Sequence, residues 1–173
     1  LALNYDSLAN TDDNTCCYSN FPQIGQKIVG PPWVNFPSDI STSSEGNIVA
    51  IGANLANSNF GGVYIYENIS GVWNQIGQDL IGDSINSEFG HSVSLSSDGS
   101  IVAIGAPNHF VSGLPWSPVL GQVKVYENIG GTWVQIGANI DSDSGGRVGW
   151  SVSLSSDGST LATGCPFTNA GNV

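Results

Sequence analysis

The chain is poor in positive charge and in long apolar runs. Only 3 of its 173 residues are Lys or Arg, against 14 Asp or Glu, which gives a net charge of −11. A surface of this kind repels phosphate backbones and anionic lipids, so we expect no nucleic-acid partner and no anionic membrane partner. No apolar stretch approaches the roughly 18–20 residues that a membrane-spanning helix needs, so we expect no membrane insertion.

Cysteine and charge overall are also scarce. The three cysteines, Cys16, Cys17 and Cys165, cannot all pair within the chain. Adjacent cysteines rarely bridge each other, so we expect one of them to pair either with Cys165 or with a cysteine upstream of Leu1. A charged fraction of 10%, together with abundant Ser, Thr, Asn and Gly, is typical of extracellular β proteins and of an oxidising compartment. Because Leu1 is not an initiator methionine, we expect a mature or cut piece of a secreted or cell-surface protein.

What the chain has in quantity is repetition. Residues 92–100 read Ser-Val-Ser-Leu-Ser-Ser-Asp-Gly-Ser, and residues 151–159 read the same nine letters. Further blocks recur in the same order: 48–53 as 101–106 and 160–165, 63–69 as 123–129, and 73–77 as 133–137, with a weaker form of the last at 21–25. The repeat period is therefore about sixty residues. It predicts units at about 34–80 and 91–140 and an incomplete one at 150–173, within a repeat region at 21–173 that follows an appendage at 1–20.

Each unit carries four strand signals. In the second unit, Ser92–Ser96 alternates serine with apolar residues, which predicts a half-buried strand, and Ile101–Ala106 is apolar throughout, which predicts a central strand. Gln122–Ile129 and Thr132–Gly137 complete the unit. We therefore predict an all-β fold of β-propeller-type blades, each with four antiparallel strands and about two and a half in the chain, open or cut from a longer array. A β-sandwich with accidental self-similarity is the alternative.

Short motifs at the strand ends resemble those of a known family. Phe89-Gly90 precedes a first strand and Gly105-Ala106-Pro107 closes a second. The counterparts are Val148-Gly149 with Gly164-Cys165-Pro166, and Gly52-Ala53-Asn54. Their order and spacing resemble the FG-GAP repeat of integrin α-subunit propellers and of many microbial surface proteins. The resemblance covers residues 21–173 and implies a ring of about seven blades that binds extracellular ligands.

One departure from that family concerns calcium. Its calcium-binding members carry an Asp-x-Asp-x-Asp-Gly loop between the first two strands, whereas this chain has Ser97-Asp98-Gly99-Ser100 and its two counterparts. One carboxylate in a short turn cannot supply the six to eight oxygens that calcium takes. We therefore expect no cofactor at these turns.

The appendage resembles a different module. Residues 1–17 are similar to the end of a small Cys- and Asp-bearing spacer module of secreted bacterial proteins, in which an upstream cysteine closes the loop. Asn14-Thr15 stands where that module has Gly-Ser. Asp12 and Asp13 are candidate calcium ligands, and a solvated acidic turn is the alternative.

Few other side chains suggest a site. Asp141 and Asp143 are a second weak pair of candidate calcium ligands, with a polar loop as the alternative. Phe110 and Trp116 lie on a long loop, where aromatic side chains contact sugars or proteins or form a local apolar plug. His91 aligns with Trp150, which indicates packing rather than catalysis.

No catalytic motif is present, so we expect a protein that is not an enzyme. The first hypothesis is an extracellular recognition or adhesion module that binds protein or glycan through blade loops. The second is a structural repeat subunit of a surface filament, stalk or viral appendage that assembles with other copies through open blade edges. A third is an accessory domain of a secreted enzyme.

Overall fold

The protein folds into three antiparallel sheets whose strands follow one another in chain order. The computed structural model describes residues 23–30, 36–110, 119–142 and 146–166. The first sheet contains β1 (Ile40–Thr42), β2 (Ile48–Ala53), β3 (Gly62–Ile69) and β4 (Val72–Gln75), with β5 (Leu80–Ile81) paired to the start of β3. A short helical turn, α1 (Ala56–Asn59), joins β2 to β3. The second sheet contains β6 (Ser92–Leu95), β7 (Ile101–Ala106), β8 (Gln122–Ile129) and β9 (Thr132–Asp141), and the third contains β10 (Ser151–Leu154) and β11 (Leu161–Gly164).

The all-β prediction is confirmed, and none of the sheets closes on itself in the described residues. The second sheet is a meander of four strands, and β7 and β8 have the bounds predicted from the sequence. The fourth strand is longer than predicted, because β9 continues past Gly137 to Asp141 with a register shift opposite Val123 and Val125. In the first sheet the same stretch is divided into β4 and β5. No helix in these parts of the chain is long and apolar enough to cross a bilayer.

The core lies between the first and second sheets. The central strands β2 and β7 are buried along almost their whole length, as their continuous apolar sequences predict. Side chains from both sheets and from the connection between them form one apolar cluster, which includes Ile65, Leu80, Phe89, Val102 and Trp133. The sheets therefore stabilise each other by burying the faces that a single sheet would expose.

The serine face of the first strand differs from the prediction of a half-buried strand. In β6, Ser92 is buried and donates its hydroxyl hydrogen to the Gly149 carbonyl at 2.9 Å, while Ser94 Oγ accepts the Leu154 amide at 2.9 Å. In the same way, Ser41 Oγ accepts the Leu95 amide at 2.9 Å. Each serine thus pairs a backbone group of the next unit, so this face contacts a neighbouring sheet rather than water.

The turns between first and second strands are bonded to one another. The Ser44 amide donates to the Ser97 carbonyl, and the Ser97 amide donates to the Ser156 carbonyl, both at 2.8 Å. These three serines occupy the same position in successive units. We call this series the serine ladder.

The glycine motifs meet at the joint between units. A Cβ atom at Gly52 would overlap the carbonyl oxygen of Gly90, and one at Gly105 would overlap that of Gly149. The Phe89 backbone also bridges Gly61 in parallel fashion, as Val148 bridges Gly121. Glycine is thus required where the chain entering one unit crosses the second strand of the unit before it.

Candidate binding surfaces

A tryptophan on the fourth strand joins each unit to the preceding one. Trp133 is only 3% exposed, and its indole Nε1–H donates to the Ile76 carbonyl at 2.9 Å. Its backbone is held by Gln78, whose Oε1 accepts the Trp133 amide at 3.1 Å and whose Nε2 donates to the Trp133 carbonyl at 2.7 Å. A Cβ at Gly77 would lie 2.9 Å from Cδ1 of this indole. We call this arrangement the Trp–Gln clamp.

The same clamp occurs one unit earlier. Trp73 Nε1–H donates to the Ile24 carbonyl at 3.0 Å, and Gln26 exchanges two hydrogen bonds of 3.1 Å with the Trp73 backbone. Residues 23–30 therefore occupy the place that a fourth strand of a preceding unit would take. The segment Gln-Ile-Gly-Gln, at 23–26 and at 75–78, forms the part of each clamp that bonds the tryptophan, through its Ile carbonyl and its last Gln side chain. We call this segment the receiving half of the clamp.

A third receiving half is present without its tryptophan. Gln135-Ile136-Gly137 repeats the segment, but Ala138 stands where Gln26 and Gln78 stood. Among the described residues, no atom would lie within 4 Å of a Cβ at Gly137, in contrast to Gly77. This position faces open space.

An apolar groove surrounds this position, between the second and third sheets. We call it the terminal groove; Val125, Ile136, Ile140, Leu154 and Leu161 contribute its apolar side chains. Each has a counterpart in the core between the first and second sheets: Ile65, Ile76, Leu80, Leu95 and Val102. Ile140 is 39% exposed, whereas its counterpart Leu80 is 4% exposed. Within the described residues, the groove is therefore an exposed version of the interface that is buried one unit earlier.

The opposite end of the described sheets also exposes apolar side chains. Ile28, Ile40, Val49, Ile51 and Trp73 line a predominantly apolar groove on the outer face of the first sheet. Ile40 is 52% exposed there, whereas Val93, its counterpart in the second sheet, is 5% exposed. Both terminal faces of the stack thus present apolar surface that equivalent residues bury inside it.

The connections between second and third strands lie at one end of the sheets and differ between units. Residues 54–61 make this connection in the first sheet and residues 107–121 in the second. Phe110 is half-buried in the longer one, and Trp116 lies outside the described residues. This end of the molecule is where the sequence of the units varies most.

A charged cluster stands beside the longer connection. Lys124 Nζ lies 2.8 Å from Asp83 Oδ2, and His109 Nδ1 lies 3.8 Å from Asp83 Oδ1. Burial alone would raise the pKa of Asp83, but the hydrogen bond and the positive charge of Lys124 outweigh it and lower that pKa. Lys124 is itself buried, so this ion pair holds the connection between the first and second sheets against β8.

The short turns commit their carboxylates to their own backbone. Asp157 Oδ1 accepts the Ser155 hydroxyl at 2.6 Å and the Ser159 amide at 3.0 Å, and Asp98 makes the same bonds with Ser96 and Ser100. The Ser155 hydroxyl and then the Ser159 amide lower the pKa of Asp157 to about 2. Within the described residues, no three His, Cys, Asp or Glu side chains gather as they would around a metal ion.

The remaining candidates are not brought together as a site. Asp141 Oδ1 accepts a hydrogen bond of 2.8 Å from Gln122 Nε2 across the β8–β9 pair. Cys165 is half-buried and forms no disulfide in the structure. The other candidate ligands and cysteines lie outside the described residues: Asp12, Asp13, Cys16, Cys17 and Asp143. The rings of His91 and Trp150, which are equivalent in sequence, lie 4.9 Å apart, so each packs on the other.

Sequence reasoning missed the Trp–Gln clamp and the charged cluster. The clamp had a signal, because glutamine follows Ile-Gly at both Gln26 and Gln78. The Asp83–Lys124 pair had none, because the two residues are 41 positions apart in segments without a common pattern. Comparison with protein-family models and with curated proteins finds no match.

Proposed function

We propose that this chain is a non-enzymatic extracellular recognition module whose sheets are blades of an FG-GAP-like β-propeller, and that it binds protein or glycan through its blade loops. One observation supports this function above the others. The contacts that join the units use residues that repeat, whereas the connections at one end of the sheets do not repeat in length or in sequence. A scaffold of constant joints with variable loops at one end is the usual arrangement of binding proteins.

The blade assignment rests on the joints between sheets. The serine ladder, the glycine crossings at Gly90 and Gly149, and the Trp–Gln clamps each recur from one unit to the next. Repetition of the joint, and not only of the sheet, is what a radial array of blades requires. A β-sandwich needs no such repetition.

Binding through the loops is tested with a panel of immobilised extracellular polysaccharides and matrix proteins. We expect the chain to bind at least one member, and the double variant Phe110→Ala, Trp116→Ala to bind it at least tenfold more weakly at an unchanged melting temperature. Asp98→Asn, at the opposite end of the sheets, is the control and should keep full binding. Absence of binding to the whole panel, or equal binding by the double variant, would overturn the proposal.

A second function, assembly through open blade edges, is favoured by a separate observation. Apolar faces are uncovered at both ends of the stack, and within the described residues β11 pairs with β10 alone. Unpaired edges of this kind promote association. Light scattering after size-exclusion chromatography tests it: ordered oligomers that grow with concentration support assembly, and a stable monomer at all concentrations contradicts it.

A further inference from the structure

Two segments of the first unit share an unusual backbone and are bonded to each other. Asn57, Ser58 and Asn59 are consecutive and have φ of 54°, 58° and 71°, in the left-handed region that residues other than glycine rarely enter. Asn86 and Glu88 have φ of 60° and 58°. Among the described residues, these five are all but two of the non-glycine residues with positive φ. The Asn86 amide donates to the Asn59 carbonyl at 2.6 Å, so the two segments hold each other.

Further hydrogen bonds fix this backbone. The Phe60 carbonyl accepts the Ser87 hydroxyl at 3.2 Å, and the Gly61 carbonyl accepts the Gly82 amide at 3.3 Å. A left-handed backbone costs free energy and persists only where its surroundings hold it in place, and such residues cluster where proteins clamp ligands. The shape of the two segments is therefore set before any partner arrives.

The same two segments expose large aliphatic side chains. Leu55, at the start of the connection between β2 and β3, is 46% exposed, and Ile81 and Ile85 are 47% and 48% exposed. Ile81 pairs with Gly62, directly after that connection. The three aliphatic residues therefore lie at one end of the first sheet, the end at which the connections between second and third strands vary. We call them the aliphatic patch.

From this exposure on a fixed backbone we propose that the aliphatic patch docks a basic protein, one that presents apolar side chains bordered by lysine or arginine. The inference deepens the proposed recognition function and rests on it, because it names the class of partner for one loop surface. It selects protein over glycan. Aliphatic side chains bury the apolar surface of a protein partner, but they offer a sugar neither a flat ring nor a hydrogen bond.

The charge beside the patch sets the sign of the partner. Asp79, Asp83 and Glu88 flank the two isoleucines in sequence, and residues 54–88 contain no lysine or arginine. Lys124 pairs with Asp83, and the other two carboxylates belong to a chain with a net charge of −11. A basic rim on the partner complements this charge and speeds association, while apolar contact at the centre gives affinity. A second copy of the chain carries the same acidic charge, so it is not this partner.

The test uses the whole chain and three short synthetic peptides of equal length, which alternate Leu with Lys, Ser with Lys, and Leu with Glu. At physiological salt, calorimetry should show saturable binding of the Leu–Lys peptide and at least tenfold weaker binding of the other two. The double variant Ile81→Ser, Ile85→Ser should bind the Leu–Lys peptide at least tenfold more weakly at an unchanged melting temperature, because both side chains are half-exposed.

Two sets of variants serve as controls. Ile69→Ser is matched to the double variant, because Ile69 lies at the other end of the same sheet and is 55% exposed; it should bind as the parent chain does. Ser58→Gly keeps a positive φ at little cost, whereas Ser58→Val opposes it, so only the valine variant should bind more weakly. Equal binding by the two Ser58 variants contradicts a role for the left-handed backbone.

The outcomes separate this inference from the proposed function. No binding, equal binding of the Leu–Lys and Ser–Lys peptides, or an equal loss in Ile69→Ser overturns the patch as a docking site. If the double variant loses binding to a polysaccharide and not to the peptide, the patch binds glycan and the protein partner is wrong. If panel members bind through Phe110 and Trp116 while the peptide does not bind, recognition stands and this inference falls. If the peptide binds at the patch and no panel member binds, recognition by the patch stands and binding through Phe110 and Trp116 falls.

Discussion

Replacing Trp133 by alanine should destabilise the protein far more than the same replacement at Trp73. A buried tryptophan removes about 150–250 Å² from water, which at roughly 25 cal/mol per Å² corresponds to an upper limit of about 4–6 kcal/mol. Trp133 is 3% exposed and belongs to the core between the first and second sheets. We therefore expect Trp133→Ala to lower the free energy of unfolding by about 3–5 kcal/mol. Trp73 makes the same hydrogen bonds but is half-buried against an uncovered groove, so Trp73→Ala should cost about 1–2 kcal/mol.

The contribution of the indole hydrogen bond can be separated from that of apolar burial. Trp133→Phe keeps an aromatic ring in the core but leaves the partly buried Ile76 carbonyl without its donor, which costs at most about 1–3 kcal/mol. The measurement is urea unfolding followed by far-ultraviolet circular dichroism, with the slope against urea compared among the three variants. Equal losses for Trp133→Ala and Trp73→Ala would refute the reasoning, because the difference in burial would then carry no energy. A phenylalanine variant as unstable as the alanine variant would show that the indole hydrogen bond and the shape of the ring, and not buried apolar area, account for the loss.

Three further predictions concern the joints and the ionisable groups. Gly105→Ala should prevent close approach of the next unit and lower stability by more than about 2 kcal/mol, because its Cβ would overlap the Gly149 carbonyl oxygen. At the equivalent Gly164 a Cβ would meet the Ser151 hydroxyl, which can rotate, and among the described residues no backbone atom closer than 3.7 Å, so Gly164→Ala should be tolerated. Equal thermal melts of the two variants would contradict this. The pKa values of Asp98 and Asp157 are lowered, so the stability that these carboxylates contribute is present above about pH 4 and is lost as pH falls toward 2. Asp157→Asn should therefore flatten the dependence of the urea midpoint on acid pH. An unchanged dependence would count against the hydrogen bonds in the turn. Burial, with a smaller effect of the nearby Asp83 carboxylate, raises the pKa of Tyr126 to about 12. The stability that Tyr126 contributes should therefore be lost as pH rises from 10 to 12, and the last step of an absorbance titration of the tyrosines should disappear in Tyr126→Phe. Ionisation of all tyrosines near pH 10 would contradict this.

The sequence was informative where local pattern and burial coincide. The continuous apolar run 101–106 became a buried central strand, because a strand covered on both faces has no polar positions. The serine alternation at 92–96 was less informative, because a hydroxyl that bonds a neighbouring backbone has the same letter as one that faces water. The alternation of serine with apolar residues shows that the two faces of the strand differ. Whether water or a neighbouring sheet contacts the serine face depends on how the units pack.

The candidate surfaces were harder to predict for a related reason. The terminal groove is visible only by comparing equivalent positions, since Ile140 and Leu80 have similar side chains and opposite exposure. The break in the clamp pattern at Ala138 could be read from the sequence once the role of Gln78 was known. The ion pair of Asp83 and Lys124 depends on how two distant segments meet, and no residue pattern encodes that distance.

The serine ladder has a direction. Each turn donates its amide toward the C-terminal neighbour and offers its own carbonyl to the N-terminal one, so Ser97 is both donor and acceptor. A unit placed in the array with the opposite orientation would bring serine amide groups against amide groups and carbonyl groups against carbonyl groups along the ladder. An in-frame duplication of one full period would instead regenerate every ladder bond without any new residue. The ladder therefore lets an array of this kind lengthen or shorten by whole units while every remaining joint keeps its bond.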